Sequence, residues 1–403
     1  MKSAGKFLAT RRRWLAGAAS LAFAGRGQAA ASPSGPPIQV GIDGEFGLEN
    51  STSAQAVELG VRVALAQLNA AGGLLGRPLE IVRRDHRSIA ARGIRNIEEF
   101  AAMPDVVAVF GGRFSPVVIE ELRVLKQARL PFLAAWSAAD AIVDNGSQPN
   151  YIFRCSLRDG LAMPYMMVQA QARGLDRVGL LLTNTSWGRS NLVAAQSAAQ
   201  SALHPARLPR IVGTAWYNWQ EMNLVDHYRR LIAAGARAIL LVANDDEGAR
   251  LVADAAHLPP AQRVPILSHW GVTGGRFFQA AGPGLQDVDF SVIQTFSFFR
   301  ARKEPLARFM RSAQALGVKR IEDIDSPVGV AHAYDLMHIL ARAITAARST
   351  RRDAVRDALE RVPAYDGLVK AYRPPFTPQR HEALGPAELM MCRYRADGVL
   401  VPA

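Results

Sequence analysis

Short runs of β-branched and other apolar residues alternate along the chain with longer stretches whose apolar positions recur every three or four residues. The first run, Ile38-Gln39-Val40-Gly41-Ile42-Asp43, reads as a strand. The segment 53–71 then carries Val57, Val61, Ala64, Leu65 and Leu68 at helical spacing and stops at Gly72-Gly73. Strand patterns follow at 79–83, 106–110 and 131–135, with helical ones over 89–103 and 116–128. Turn chemistry at Asn145-Gly146 and Pro149-Asn150 marks a break. A second set of strand patterns begins there, at 151–155, 178–182, 211–215, 238–242 and 264–268, separated by helical patterns near 161–173, 189–203, 223–234, 246–256 and 274–281. The chain returns through 290–298 to helices near 304–316, 327–347 and 351–361, a short strand around Leu368 and a last strand at 388–394. Alternation of this kind predicts parallel sheets with crossover helices. The expected fold is α/β, with two doubly wound, Rossmann-like lobes joined by a multi-strand hinge. One lobe is expected over 38–150 with 295–388, the other over 151–294 with 389–403. Ligands of such sheets bind beyond the strand C-termini.

The first residues do not fit this alternation. A basic cluster, Arg11-Arg12-Arg13, precedes the apolar run from Trp14 to Ala24 and small residues up to Ala31. That order is a signal peptide, expected over residues 1–31. The apolar run is only about ten residues, against about 20 for a membrane-spanning helix. Thr10-Arg11-Arg12-Arg13-Trp14-Leu15 fits a twin-arginine export signal and equally a Sec signal with a generous basic region. With no cysteine before Cys155, no lipoprotein anchor is expected, and the mature protein is expected in the periplasm.

The leader also changes what the charge means. The formal net charge of +13 suggests a nucleic-acid binder, but six of the 48 Lys and Arg and none of the 35 acids fall within residues 1–31. The remaining arginines are scattered on predicted helix faces without interleaved aromatics, so no nucleic-acid partner is expected. Hydrophobic content of 49% and charged content of 21% over 403 residues suit a globular protein of two domains. Cys155 and Cys392 sit in apolar, strand-like contexts; two buried free thiols are the default, although export permits a disulfide.

Catalytic signatures are missing: no phosphate-binding loop, no dinucleotide fingerprint, no H-E-x-x-H and no nucleophile elbow, and the eight His lack ligand spacing. No enzyme activity, cofactor or metal is expected. Polar and aromatic residues recur instead where strands run into helices. Phe110-Gly111-Gly112-Arg113-Phe114-Ser115-Pro116 ends a strand in glycines and offers Ser115 as an N-cap with Pro116 at the first helical position. The free backbone N–H groups and the helix dipole there suit a carboxylate, and a plain cap explains Ser115 equally well. Ala135-Trp136-Ser137, Thr183 through Gly188, Ala243-Asn244-Asp245-Asp246 and Ser268-His269-Trp270-Gly271 are further clusters of this kind. Trp136, Trp187 and Trp270 all fall at strand C-termini, which points to a cleft with aromatic walls around a few placed polar groups.

These residues together resemble the type I periplasmic binding proteins of the leucine/isoleucine/valine-binding class, the receptors of branched-chain amino-acid ABC transporters. The resemblance runs from about Ile38 to Gly398. Its most specific part is the helix, turn and strand from Gly60 through Asn69-Ala70-Ala71-Gly72-Gly73-Leu74-Leu75-Gly76-Arg77-Pro78-Leu79 to Asp85. Val109-Phe110-Gly111-Gly112, Pro131-Phe132, Phe153-Arg154 with Asp159, and Tyr394-Arg395-Ala396-Asp397-Gly398 also fit. The resemblance implies a ligand carboxylate held at Ser115, flanked by Arg113 and Phe114, and at the loop Trp136-Ser137-Ala138. It implies an aromatic wall at Trp187, contacts from the loops carrying Asn244 and Trp270, and closure into a surface that an inner-membrane ABC permease recognises. A monomer is the family expectation.

Two positions depart from the pattern. Trp270 stands where amino-acid binders of this class place the acid that meets the ligand's ammonium, so either Asp245 or Asp246 substitutes or the ligand lacks an α-amino group. Trp136 replaces a small residue and reshapes the pocket, while Arg113 beside the anion site favours a negatively charged ligand. A sensory module of the same fold, signalling to a membrane partner, is the alternative to a transport receptor.

Overall fold

The computed structural model describes residues 33–201, 208–221 and 223–403. The leader expected over residues 1–31 lies outside the described residues.

Five parallel strands form the first sheet: β1 (Ile38–Gly44), β2 (Leu79–Asp85), β3 (Val106–Gly111), β4 (Phe132–Ala134) and β5 (Ile152–Arg154), in the order β2-β1-β3-β4-β5. The residues of β3, β4 and β5 are buried throughout, as strands covered on both faces require, whereas the edge strand β2 carries Glu80, Arg83, Arg84 and Asp85. Helices α1 (Ser53–Ala70), α2 (Ala90–Ala102) and α3 (Ser115–Ala128) connect them. The chain goes from β1 to β2 on one side and then to β3 on the other, so the crevice of this lobe opens at the ends of β1 and β3.

The sequence pattern places 151–155 at the start of the second set, and the structure corrects this. Ile152–Arg154 pairs with β4 and completes the first sheet. A short strand buried on both faces has no pattern that tells one sheet from another, and Asn145-Gly146 and Pro149-Asn150 mark an ordinary loop between strands.

The second sheet follows α4 (Asp159–Ala172). It contains β6 (Arg177–Thr183), β7 (Arg210–Tyr217), β8 (Ala238–Val242), β9 (Ile266–Ser268) and β10 (Phe290–Gln294), with α5 (Ser186–Gln200), α6 (Val225–Ala233), α7 (Asp245–Ala256) and α8 (Phe277–Ala281) between them. From Gln294 the chain recrosses to α9 (Lys303–Ala315) and α10 (Pro327–Ala347), both packed on α1, then α11 (Arg352–Leu359) and a hairpin of β11 (Tyr365–Asp366) and β12 (Ala371–Tyr372). Crossing once more, it adds β13 (Met390–Tyr394) antiparallel to β10 and β14 (Leu400–Pro402) beside it. The sheet order is β14-β13-β10-β9-β8-β6-β7. The pattern predicts no strand after Tyr394; β14 is a three-residue edge strand that ends in proline, a residue tolerated at an edge.

Gly60 explains how α10 reaches the first lobe. A Cβ there would stand 2.2 Å from the Val330 carbonyl oxygen, so only glycine lets the two helices approach this closely. Cys155 and Cys392 are both buried and free, the first just after β5 and the second within β13. No helix among the described residues is long and apolar enough to cross a membrane.

Candidate functional site

The loop after β4 is built to present N–H groups. Arg154, wholly buried at the end of β5, donates from Nη1 to the carbonyl oxygens of Ser137 (3.3 Å) and Ala139 (2.8 Å). Ser156 Oγ donates to Trp136 O, and the Asp159 N–H donates to Ala138 O. With every carbonyl of this loop held elsewhere, the N–H groups of Ala138 and Ala139 meet Ser115 Oγ at 3.1 and 3.2 Å. Arg154 keeps its own charge compensated by Glu382, whose carboxylate receives Nε at 2.9 and 3.1 Å. A buried arginine with a bidentate carboxylate and two carbonyls is fully hydrogen-bonded, the condition under which burial of charge is tolerated.

Ser115 does not cap its helix. It is the first helical residue of α3, Phe114 takes the cap position, and no side-chain cap bond forms there. The hydroxyl accepts from two loop amides instead and keeps its own proton to donate. Ser115, the Ala138 and Ala139 amides and the N-terminus of α3 thus converge at one point of the first lobe.

The second lobe faces this point with Trp187, Trp270, His269 and Asp159. Trp270 lies 5.6 Å from Trp136 and 5.8 Å from His332, centroid to centroid, so the three rings pack together. His332 links the lobes: Nδ1 pairs with Ala135 O and Nε2 with Thr295 Oγ1, both at 2.9 Å. Burial pushes its pKa down to about 4, which keeps the ring neutral. Trp187 Nε1 donates to Asp159 Oδ1 at 3.3 Å, and His269 Nε2 stands 3.1 Å from the same oxygen.

The mouth of the cleft holds the remaining residues expected from the sequence. Arg113 leaves the first lobe and meets the Asp245 carboxylate at 2.5 Å and Gly271 O at 3.1 Å, both on the second. Its charge is therefore taken up between the lobes. Burial raises the Asp245 carboxyl pKa, and the Arg113 guanidinium opposes that shift. Phe114 stacks on Trp219 across the seam, with centroids 4.9 Å apart and planes 24° from parallel. Asn50 donates to Asp246 at 3.1 Å. A cavity of about 600 Å³ opens here, lined by Asn50, Arg87, Phe114, Trp219, Asn244 and Asp246 among others.

The structure thus divides the expected residues into two groups. Ser115, Trp136, Ser137, Ala138, Trp187 and Trp270 are buried in the inner cleft, whereas Arg113, Phe114, Asn244 and Asp245 lie at its mouth. Sequence reasoning missed Trp219, although it follows the end of β7 in the same way as the three tryptophans it used. It named His269 only within the cluster around Trp270, without a role, and it named Arg154 only as part of the family pattern, without its role in orienting the loop. No cluster of metal-binding side chains occurs among the described residues.

Two α/β lobes between which the chain crosses more than once, with aromatic side chains gathered where they meet, define the fold of the type I periplasmic binding proteins. The chain belongs to the periplasmic binding protein family, whose model matches residues 37–398. Leu/Ile/Val-binding protein homolog 7 of Brucella abortus (strain 2308) is 26% identical over 174 residues, covering 40% of this chain and 42% of that protein. The chain therefore matches less than half the length of this curated relative. Among solved structures, a periplasmic binding protein type 1 from Bordetella pertussis Tohama I superposes with a TM-score of 0.80 at 21% identity, covering 91% of this chain and all of that one. The branched-chain amino acid transporter substrate binding protein LivJ from Streptococcus pneumoniae, in complex with isoleucine, gives 0.76 at 17% identity over 91% and 100%. A solute binding protein of an ABC transporter from R. palustris, in complex with 4-hydroxybenzoate, gives 0.77 at 16% over 91% and 96%. At such identities these three structures share the fold with this chain.

Proposed function

We propose that this protein captures a small carboxylate-bearing solute, an amino acid or a related organic acid or amide, between its lobes and delivers it to an ABC importer in the inner membrane. The observation that carries this reading is the cradle of Ser115 with the Ala138 and Ala139 amides, set by Arg154 at the N-terminus of α3. Trp136, Ser137, Trp187 and Trp270 would enclose the ligand, and Arg113, Phe114, Asn244 and Asp245 would form the seam that closes over it. The family implies a periplasmic location, consistent with export by the leader. The protein would act as a monomer without catalysis. The solved relatives include holders of isoleucine and of 4-hydroxybenzoate, so both chemistries belong in the test.

The test is thermal unfolding of the mature protein titrated with branched-chain amino acids, their amides, and aromatic and aliphatic acids. Ligand at one hundred times Kd raises stability by about 2.7 kcal/mol, a readily measured shift. Saturable stabilisation by one of these acids is expected. A flat response across the whole panel would sink the reading.

A further inference from the structure

We infer that the lobes carry a clasp made of their own backbones, Asn50–Thr52 of the first against Gly274–Arg276 of the second, which holds this edge of the cleft shut with no contribution from ligand. The inference goes beyond the capture of a solute, and its test uses none, so its failure would leave that reading intact.

The first half of the clasp is the loop between β1 and α1. Glu45, wholly buried just after β1, accepts from Ser51 Oγ at 2.9 Å and from Ser53 Oγ. Two buried hydroxyls on one carboxylate fix the loop firmly. Its backbone then meets the other lobe. The Thr52 N–H donates to Gly274 O at 2.8 Å, the Arg276 N–H donates to Asn50 O at 3.0 Å, and Ser51 forms an antiparallel bridge with Gly275. Hydroxyls extend this pairing to the start of α10: Thr52 Oγ1 donates to Ser326 Oγ, which donates to Thr273 O, each at 2.7 Å.

The second half is built on glycine. A Cβ at Gly275 would stand 1.9 Å from Asp245 Oδ2 and 2.6 Å from Asn50 O, and one at Gly274 would stand 2.4 Å from Arg113 Nη1. The backbones approach because neither residue has a side chain, and the Arg113–Asp245 pair lies against them. Every donor and acceptor in the clasp belongs to the protein. Each bond contributes modestly, but bonds that form together shift the balance between open and shut by their sum.

The experiment is hydrogen exchange of the ligand-free mature protein, resolved to single amides by fragmentation mass spectrometry. The Thr52 and Arg276 N–H groups each have their acceptor on the opposite lobe, so both report on the clasp. Both should exchange at least about tenfold more slowly than in an unstructured chain. Arg276→Pro removes one donor at a residue whose φ of −84° is close to what proline imposes, and Gly275→Val forces the two segments apart. In either variant the Thr52 amide should lose its protection, while amides of β1 and β8 stay as slow as in the wild type and show that both lobes are folded. Unprotected Thr52 and Arg276 amides in the wild type would overturn the inference, as would unaltered Thr52 protection in a folded variant. The wild-type measurement decides the matter if neither variant folds.

Discussion

Ser115 and Arg154 show how much one residue's neighbours decide. Replacing Ser115 by alanine removes the acceptor for two buried amides, a loss of about 1–3 kcal/mol in stability. Ligand affinity should fall with it, as titration of Ser115→Ala would show. Arg154→Met is expected to destabilise by about 3–5 kcal/mol in urea unfolding, because Glu382 then stands uncompensated. The double replacement Arg154→Met with Glu382→Leu should recover most of that stability but not binding, since the Ser137 and Ala139 carbonyls lose their anchor. Recovery of binding in the double variant would show that the loop orients itself. The sequence made Ser115 legible through its place after a glycine-ended strand. The purpose of Arg154 was hidden because its partners lie at Ser137, Ala139 and Glu382, remote along the chain.

At the scale of elements, periodicity located nearly every helix and strand, because apolar spacing follows directly from which face is covered. It failed where spacing carries no such information. The three residues of β5 are buried on both faces in whichever sheet holds them, and β14 is too short to show a period. The packing of α1 on α10 yields a direct test. Gly60→Ala would drive a methyl group into the Val330 carbonyl and should cost about 1–3 kcal/mol by chemical unfolding. Another test concerns α3 and β1. Burial raises the pKa of Glu121 to about 7, from an ordinary 4.5, and raises that of its neighbour Asp43. The folded state therefore holds protons that the unfolded chain has released. This contribution is fully present below pH of about 4.5 and is lost as pH climbs through 7. Melting temperature should fall between pH 5 and 8, and Glu121→Gln should flatten that slope; an unchanged slope would show the pair is not its source.

Over the whole molecule, closure joins the site to its function. The lobes meet through Arg113 with Asp245, Phe114 with Trp219, and Asn50 with Asp246, all at the mouth. The sequence led one to expect Arg113 to draw an anionic ligand; the side chain instead meets an acid of the other lobe. That outcome was illegible beforehand because Arg113 and Asp245 belong to different sheets, and only the closed arrangement brings them together. Asp245→Asn weakens this seam, so it should lower ligand affinity and enlarge the radius of gyration of the ligand-saturated protein in small-angle scattering. No change in either quantity would mean that the seam does not hold the lobes closed.

The central claim is that the cradle at Ser115 holds a carboxylate while the lobes close around it. Its most direct test is calorimetric titration of the mature protein with the best acid from the panel and with that acid's methyl ester, which keeps the shape and removes the charge. The account predicts saturable binding of the acid and affinity at least about a hundredfold weaker for the ester, since charge-assisted bonds to N–H groups at a helix N-terminus are lost. Equal binding of acid and ester would contradict it.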